Sequence, residues 1–294
     1  MDEPTGLRRY AQVFDAIAAD YDVHRPGYPE ELVDAALHLG GLGAGASVLE
    51  IGCGTGKLTE LLAARGLRID AVDPGAKLIE AARRRVGDSP DVTFHLGRFE
   101  DVELPKDAYD AAFSAAAFHW VEPSVGWEKV ARHLRAGGLL ALLSYLGVTD
   151  GATPGAEMEF VAVLEQHAPE LAGDWGPPED VASLLAAASG HADNVSAVWD
   201  VVLSRGLHGL VVDDAAALFR NVETTAAVQT RSWTAAESEA RFRTTALYRR
   251  LDPAVRAAVE RGDREIFARH GGLVELSLAF VLTTALRATP AQAE

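Results

Sequence analysis

The sequence predicts an α/β protein built on a doubly wound, largely parallel sheet. Between residues 47 and 144, short apolar runs alternate with amphipathic helical segments, and a glycine-rich loop follows the first run. Of the 294 residues, 48% are hydrophobic and 24% are charged, which is enough apolar mass for a sizeable core. Alternation of strand and helix is typical of parallel strands joined by right-handed crossovers.

The elements of this region are predicted from hydrophobic periodicity. Apolar runs bounded by glycine or polar residues predict buried strands, and apolar residues three or four apart predict one face of a helix. The predicted strands are Ser47–Ile51, Arg68–Val72, Val92–Leu96, Tyr109–Ser114 and Leu139–Ser144. The predicted helices are Lys57–Arg65, Lys77–Val86 and Ser124–Leu134, with a turn at 136–138.

The flanking segments differ in character. Helices are predicted over 8–21 and 29–39, and the prolines and glycine between Tyr21 and Pro29 predict an irregular link. After residue 150 the pattern predicts mainly helices, at 156–167, 179–189, 192–205, 234–250 and 253–269. Two more strands are predicted, at 222–229 and in the long apolar run 274–288.

Charge and cysteine content exclude several classes of function. The chain has 27 basic and 43 acidic residues, a net charge of −16, which argues against nucleic acids and anionic membranes as main partners. No run approaches 18 uncharged apolar residues, so no membrane span is expected. The start lacks the features of a signal peptide, and Cys53 is the one cysteine. We therefore expect a cytoplasmic protein without disulfides.

The glycine loop predicts a ligand site. Gly52, Gly54 and Gly56 stand at alternate positions, which lets the backbone approach a ligand closely. A dinucleotide site would space them G-x-G-x-x-G and place a pyrophosphate at the helix start. Glu50, two residues before the first glycine, disfavours a pyrophosphate and favours the ammonium of a methionine moiety. The residues therefore favour S-adenosylmethionine over a dinucleotide.

A second acidic residue supports a nucleoside ligand but does not distinguish S-adenosylmethionine from a dinucleotide. Asp73 ends the second predicted strand, and its carboxylate can accept hydrogen bonds from both ribose hydroxyls. Both cofactor types use this device. A plain turn with a surface aspartate is the simpler interpretation, and the joint placement of Glu50, the loop and Asp73 argues against it.

With these residues in place, the chain resembles the class I S-adenosylmethionine-dependent methyltransferases. Within that superfamily it is similar to the small-molecule group (methyltransferase type 11) that includes trans-aconitate methyltransferase. The resemblance is close over about 13–145 and looser over 220–288. It rests on Phe14 to Tyr28, Glu50–Gly56, Val72–Pro74, Gly97–Asp101, Phe118–Trp120 and Leu134–Gly138.

The resemblance implies a Rossmann-like, seven-stranded sheet that ends in an antiparallel strand pair, 222–229 with 274–288. It implies a single catalytic domain over 1–294. Within it, 1–40 form an N-terminal helical lid, 41–149 the cofactor-binding core, 150–220 a helical cap insert, and 221–294 the remaining strands and helices.

The resemblance also implies roles for individual residues. It places Gly52, Cys53 and Gly54, in the loop that Gly56 completes, against the methionine and ribose parts of the cofactor. It assigns Asp73 to the ribose and Pro74 to the adenine.

Three further segments receive roles in the same way. Phe99 and Glu100 would hold the adenine edge, although Glu100 also fits a solvated loop, and this chain has Arg98 where many relatives have an aspartate. Ser114 and Ala115 end the fourth strand at the ligand-binding edge. Of the N-terminal segment, Tyr21 would face the sulfonium and Arg25 the methionine carboxylate, whereas the simpler interpretation is a helix-linking turn.

His119 is the candidate catalytic residue. Beside the transferring methyl group, it would act as a general base or orient the substrate. The alternative is a packed histidine that fixes its loop, with Trp120 as core or as cover for the adenosine. The helix that contains Thr244, Thr245 and Tyr248 resembles one that faces the pocket in relatives. Five aromatic or histidine residues of the insert are expected to be packing or surface: His167, Trp175, His191, Trp199 and His208.

The resulting prediction is a methyltransferase that moves a methyl group in line from S-adenosylmethionine to oxygen, nitrogen or carbon of a small molecule. No metal site is predicted, and a monomer or a homodimer is expected. One alternative is a protein of the same fold that binds S-adenosylmethionine without methylating. Another is a nicotinamide-dependent reductase, which the glycine spacing disfavours.

Overall fold

The computed structural model describes residues 13–172, 179–203 and 211–289. These residues form one seven-stranded sheet with helices on both faces. The strands are β1 Ser47–Ile51, β2 Arg68–Asp73, β3 Val92–Leu96, β4 Tyr109–Ala115, β5 Leu134–Val148, β6 Phe219–Trp233 and β7 Val274–Arg287. The first half of the chain supplies the helices α1 Val13–Ala16, α2 Ala18–His24, α3 Glu30–Leu39, α4 Lys57–Ala63, α5 Ala76–Val86 and α6 Pro123–His133.

The remaining helices follow β5. They are α7 Ala156–His167, α8 Pro169–Ala172, α9 Val181–Ser189, α10 Val195–Val202, α11 Ala215–Leu218, α12 Ala235–Arg243, α13 Ala246–Arg250 and α14 Pro253–Arg269. Of the insert residues named above, Trp199 is buried in the core and His191 is exposed, while Trp175 and His208 lie outside the described residues. Among the described helices, none has the length and apolar character needed to cross a membrane.

The strand order confirms the predicted sheet. It runs β3-β2-β1-β4-β5-β7-β6; the first five strands are parallel, and β7 lies antiparallel between β5 and β6. In β5, Leu140 and Leu142 belong to one hydrophobic core, and Leu139, Ala141 and Leu143 belong to the other. A strand buried on both faces explains why this segment is a continuous apolar run without alternation.

Several predicted boundaries differ from the structure, and three of the differences are instructive. The link after the first helix begins at Arg25, because α2 continues through Tyr21 to His24. The helix predicted over 234–250 is two helices, since Thr245 accepts a hydrogen bond from the N–H of Tyr248 and caps a new helix. Such a cap competes with a continuous helix because its oxygen replaces a backbone acceptor.

The third difference concerns the edge strand β6, which is longer than predicted. β6 extends from Phe219 to Trp233 and pairs with β7 along almost its whole length. β6 is the edge strand, and most of its side chains are exposed or half-buried. Exposed polar residues at 220–221 and 230–232 separate its buried ends, Phe219 and Trp233, from the predicted segment, so the apolar pattern that marks a strand is interrupted there. The turn predicted at 136–138 is an irregularity inside β5, where the pairing with β4 shifts.

Candidate functional site

A cavity of about 380 Å³ opens at the carboxyl ends of β1, β2 and β4. Open α/β sheets bind ligands at this edge. The segment from Phe14 to Tyr28 covers one side of the cavity, and residues of α12 and α13 line another. Its volume lies in the range typical of small-molecule sites. The structure brings most of the predicted site residues to this cavity: Tyr21, Arg25, Glu50, Gly52, Cys53, Gly54, Asp73, Pro74, Phe99, Glu100, Ala115 and His119.

The glycine loop folds tightly over the end of β2. The N–H groups of Gly52 and Cys53 both donate to the carbonyl of Val72, at 2.8 and 3.1 Å. A Cβ on Gly52 would stand 2.3 Å from the Cβ of Ala117, and its φ is +72°, so only glycine fits there. Gly54 has a φ of +54° and open space where a Cβ would be. Gly54 therefore presents bare backbone to the cavity.

Gly56 and Ser114 do not line the cavity. A Cβ on Gly56 would stand 2.9 Å from the Cα of Ala82, so this glycine allows α4 and α5 to approach closely. The Ser114 hydroxyl donates to the carbonyl of Ile51 at 2.7 Å and ties β4 to β1 beneath the site. Both residues shape the site from behind it.

Asp73 is held at the tip of β2 by two backbone donors. Its Oδ2 accepts from the N–H of Gly54 at 2.9 Å, and its Oδ1 accepts from Gly75 at 2.8 Å. Burial raises the pKa of Asp73 to about 6. A carboxylate oxygen can accept two hydrogen bonds, so each oxygen keeps capacity for a ribose hydroxyl.

Glu50 is a buried acid with an unsatisfied atom. Its side chain is almost fully buried, its Oε2 has no hydrogen-bond partner, and burial raises the pKa of this carboxyl to about 8. A buried carboxylate is costly unless a cation or donors satisfy it. The ammonium of a methionine moiety would supply both the positive charge and the hydrogen-bond donors.

Arg25 joins three elements around the opposite side of the cavity. Its Nη1 donates to the Tyr145 hydroxyl on β5, its Nη2 donates to the carbonyl of Thr244 at 2.9 Å, and its Nε is buried without a partner. The guanidinium lies 5.2 Å from the centre of the Tyr21 ring, and burial raises the pKa of Tyr21 to about 12. The N-terminal segment is therefore part of the site.

His119 lies on a short 3₁₀ turn, Phe118–Trp120, after β4. Its Nδ1 is buried without a partner, and burial together with the Arg25 charge lowers the pKa of His119 to about 3. Trp120 also lines the cavity, and its ring centre is 5.6 Å from that of Phe14. His119 is therefore neutral near pH 7 in this state.

The adenine-edge residues have partners within the protein. Glu100 accepts from Arg98 at 2.8 Å and from the N–H of Glu122 at 2.9 Å. Burial raises the pKa of Glu100, but these two donors outweigh it and hold the pKa below its usual range. The Phe99 ring is buried, with the Lys129 ammonium 5.3 Å from its centre. These contacts fix the loop that borders the cavity.

Several cavity residues are absent from the sequence prediction. Ser144 and Tyr145 come from the end of β5, Glu157 from α7, and Arg241 and Arg250 from α12 and α13. The Oγ of Ser144 and the Nε of Arg241 are buried without partners. No spacing pattern links segments so far apart in the chain, so only the fold brings them together.

The polar atoms left unsatisfied fit S-adenosylmethionine. A buried acceptor without a partner stands near the sheet edge on Glu50, a buried ring nitrogen without a partner stands on His119, and a lone donor stands on Arg25. The cofactor carries an ammonium, a carboxylate and ribose hydroxyls, which complement Glu50, Arg25 and Asp73 in turn. In the described ranges, no group of three or more His, Cys, Asp and Glu side chains is placed to hold a metal ion.

Comparisons with known proteins agree with this geometry. The family model described as a methyltransferase domain matches residues 49–142. An uncharacterised methyltransferase of Mycobacterium tuberculosis is 38% identical over 130 residues, which are 44% of this chain and 51% of that protein. A malonyl-[acyl-carrier protein] O-methyltransferase of Ilyobacter polytropus is 33% identical over 118 residues, 39% of this chain and 40% of that protein. The chain thus matches about half the length of its curated relatives, or less.

A solved structure extends the likeness of fold to most of the chain. A protein named as a type II methyltransferase from Anaeromyxobacter dehalogenans superposes with a TM-score of 0.57 at 22% identity. The match covers 89% of this chain and 97% of that one. Residues 49–142 thus match a methyltransferase domain, and the strand order and the solved structure show that the described part of the chain shares the fold of such a protein.

Proposed function

We propose that this protein is a methyltransferase that uses S-adenosylmethionine to methylate a small molecule by in-line transfer. The observation that carries the proposal is the arrangement of Gly54, Asp73 and Glu50 at one edge of a cavity that Arg25 closes from the other side. The volume of the cavity, about 380 Å³, and the net charge of −16 favour a small acceptor over a nucleic acid.

The residues of this chain would act mainly by binding and orientation. When bound, the cofactor supplies an electrophilic methyl group on a sulfonium. Asp73 would fix the ribose, Glu50 the ammonium and Arg25 the carboxylate of the cofactor. The Tyr21 and Trp120 rings would exclude water and offer π-faces to the positive charge. Holding two reactants in line supplies a large part of the rate acceleration in such transfers.

Thermal unfolding with S-adenosylhomocysteine, and with NADPH in parallel, tests the cofactor. A ligand at a hundredfold excess over its dissociation constant stabilises the folded state by about 2.7 kcal/mol. We expect a higher Tm with S-adenosylhomocysteine alone. A shift with NADPH instead would favour the reductase. S-adenosylhomocysteine binding without methyl transfer to any acceptor would favour a protein that binds this cofactor for another purpose.

Asp73→Ala tests whether Asp73 binds the ribose, and a control variant on the same strand reports general effects on the fold. The loss of charged hydrogen bonds is expected to weaken S-adenosylhomocysteine binding by about 1–3 kcal/mol in titration calorimetry. Asp70→Ala is the matched control, because Asp70 lies on the same strand and bonds His95 and Tyr109 outside the cavity. Equal affinity of the Asp73 variant and the parent protein would refute the ribose assignment.

We also propose a cytoplasmic enzyme that is a monomer or a homodimer and has no nucleic-acid or membrane partner. The acidic composition supports the last point, since phosphate surfaces repel it. Light scattering of the purified chain measures its mass in solution. Retention on heparin at low salt would contradict the absence of a nucleic-acid partner.

A further inference from the structure

We propose that two copies of this chain associate through the edge strand β6, and that the two strands pair antiparallel about a twofold axis at Ala227. The pairing would join two seven-stranded sheets into one continuous sheet. It goes beyond the proposed function and does not depend on which cofactor the cavity binds. It rests on the length of the uncovered edge and on the order of the side chains along it.

The outer edge of β6 is long and has no strand beside it. In the part of the chain that the structure describes, the strand order ends with β6, which has 15 residues. Edge strands are usually protected from pairing by short length, by proline or by lysine, and the segment Phe219–Trp233 contains neither of these residues. A row of backbone N–H and C=O groups is therefore available to another strand.

An irregularity limits the regular part of this edge. The pairing of β6 with β7 shifts between Arg220 and Glu223, and Asn221 has a φ of +55°. From Glu223 to Trp233 the pairing with β7 is continuous. Such a bulge bends a strand locally and ends regular pairing. We therefore expect a second strand to pair with the segment that begins at Glu223.

The side chains of this segment are complementary to themselves. Glu223 and Arg231 are its charged residues, and those between them are uncharged. Glu223 is exposed, and the side chain of Arg231 is 56% exposed. An acid at one end and a base at the other allow two copies of the same strand to match when they run in opposite directions.

Geometry leaves one register for this match. Opposite residues of an antiparallel pair lie on the same face, so their positions in identical strands differ by an even number. Glu223 and Arg231 meet this condition, whereas Glu223 and Arg220 do not. With Ala227 opposite itself, Glu223 of each copy lies opposite Arg231 of the other. The twofold axis repeats this ion pair at both ends of the paired segment.

The same register gives compatible pairs between the charged ends. Pairs of β-branched, small or hydrogen-bonding side chains stabilise antiparallel strands. They would be Thr224 with Thr230, Thr225 with Gln229, and Ala226 with Val228. Val228 is one of the exposed large hydrophobic residues of the described chain, at 41% exposure. Pairing would cover it.

Both charged ends can accept a partner. Among the described residues, no hydrogen bond or ion pair is found for the Glu223 side chain. The Arg231 guanidinium lies over the Trp233 ring, 3.5 Å from its centre, and 3.8 Å from a carboxylate oxygen of Glu237. A guanidinium carries five N–H donors, so Arg231 keeps donors for a carboxylate of the second copy.

Cysteine substitution tests the register. Ala227→Cys places a thiol opposite its own copy, where the Cα atoms would be about 4.5–5.5 Å apart, a distance that a disulfide spans. We expect a covalent dimer after mild oxidation. The parent protein controls for Cys53, which is buried.

Thr225→Cys is the matched control on the same face of β6. The two copies of residue 225 would lie about 14 Å apart along the strands, so this variant alone should not crosslink. A mixture of Thr225→Cys with Gln229→Cys should crosslink, because these residues lie opposite each other in the proposed register. Crosslinking of Thr225→Cys alone as readily as Ala227→Cys would overturn the register.

Charge reversal tests the two ion pairs. Glu223→Arg and Arg231→Glu each place like charges opposite each other at both ends, so each is expected to raise the dimer Kd by about tenfold or more in sedimentation equilibrium. The double variant with both changes should dimerise like the parent. Arg220→Glu is the control, because this exposed residue lies before the bulge.

The parent chain itself gives the first decision. A monomer at every concentration measured would overturn the proposal, and so would a dimer that both single charge variants leave unchanged. A double variant that fails to recover would overturn the pairing of Glu223 with Arg231. If a charge variant does not fold, the cysteine variants still decide. S-adenosylhomocysteine binding by a monomer would leave the proposed function intact, and a dimer without that binding would leave this inference intact.

Discussion

One wall of the cavity holds acidic side chains and the opposite wall holds basic ones. The wall at the sheet edge holds Glu50, Asp73 and Glu100, whereas the wall built by the N-terminal segment and α12–α13 holds Arg25, Arg241 and Arg250. The Arg98–Glu100 pair and Glu157 reduce this separation without removing it. A ligand with a cationic sulfonium, an ammonium and hydroxyls suits the first wall, and anions suit the second. The contrast explains how one cavity can orient two reactants.

The walls differ equally in how the chain builds them. The acidic wall comes from one strand–loop–helix unit and the next two strand ends, within residues 50–100. The basic wall combines residues 25, 241 and 250 with the end of β5. Rigid backbone therefore shapes the first wall and tertiary contacts assemble the second. The predictions below test this difference, beginning with the largest expected effect.

Gly52→Ala is expected to cause the greatest loss of stability at the acidic wall. Left-handed backbone costs a non-glycine residue about 1–2 kcal/mol, and the clash with Ala117 adds about 1–3 kcal/mol. Gly54→Ala meets no neighbour, so it should lose only the backbone part while weakening S-adenosylhomocysteine binding. Urea unfolding and calorimetry measure both quantities. Similar stability of the two variants would contradict the packing assigned to Gly52.

Glu50→Gln should reveal the unfavourable burial of this carboxyl in the ligand-free protein. The folded state holds the Glu50 proton up to about pH 8, whereas the unfolded state releases it near the ordinary value of 4.5. The parent protein thus loses stability relative to the variant as pH rises from 4.5 to 8. We expect the difference in Tm between variant and parent to grow over this range.

The same comparison with S-adenosylhomocysteine present sharpens this prediction. The ammonium of the ligand favours the ionised Glu50, so the advantage of the Gln variant should shrink or reverse. The exposed Glu31→Gln serves as control. A difference in Tm that does not vary with pH would mean that Glu50 ionises at its ordinary pKa.

The smallest expected effect concerns the protonation of His119, because the predicted result is that its NMR signals do not change with pH. Burial and Arg25 keep the imidazole neutral, so its NMR signals should not titrate above about pH 4. His119→Gln assigns the signals by difference. Titration near pH 6.5 would show that neither burial nor the charge of Arg25 lowers the pKa of this ring. In turnover assays, a loss in kcat alone would favour a base or orienting role, and equal losses in kcat and cofactor affinity would favour packing.

Most of the sheet edge could be predicted from the sequence, because local rules govern it. The ends of β1 and β3 are those predicted, and the glycine loop and Asp73 lie where parallel-strand geometry puts them. Gly56 belongs to the glycine loop and Ser114 ends a strand at the same sheet edge, but neither faces the cavity. Gly56 packs against helix α5, and Ser114 bonds the carbonyl of Ile51. The sequence places these two residues close to the site but does not show whether they face the cavity. A shift of one residue along a strand or turn changes the side that a group faces.

The sequence by itself determined the fold class, the alternating strands and helices of the parallel half, the glycine loop and the acids beside it. These features depend on periodicity and on residues close in the chain, so their physics is local. Only the tertiary structure decided that Tyr145 bonds Arg25, that Arg241 lines the same cavity, that His119 is buried beside a cation, and that Ser114 turns away from the cavity. Electrostatic interactions and burial depend on residues that are neighbours in space and distant in the chain. The basic wall therefore forms only when the chain folds.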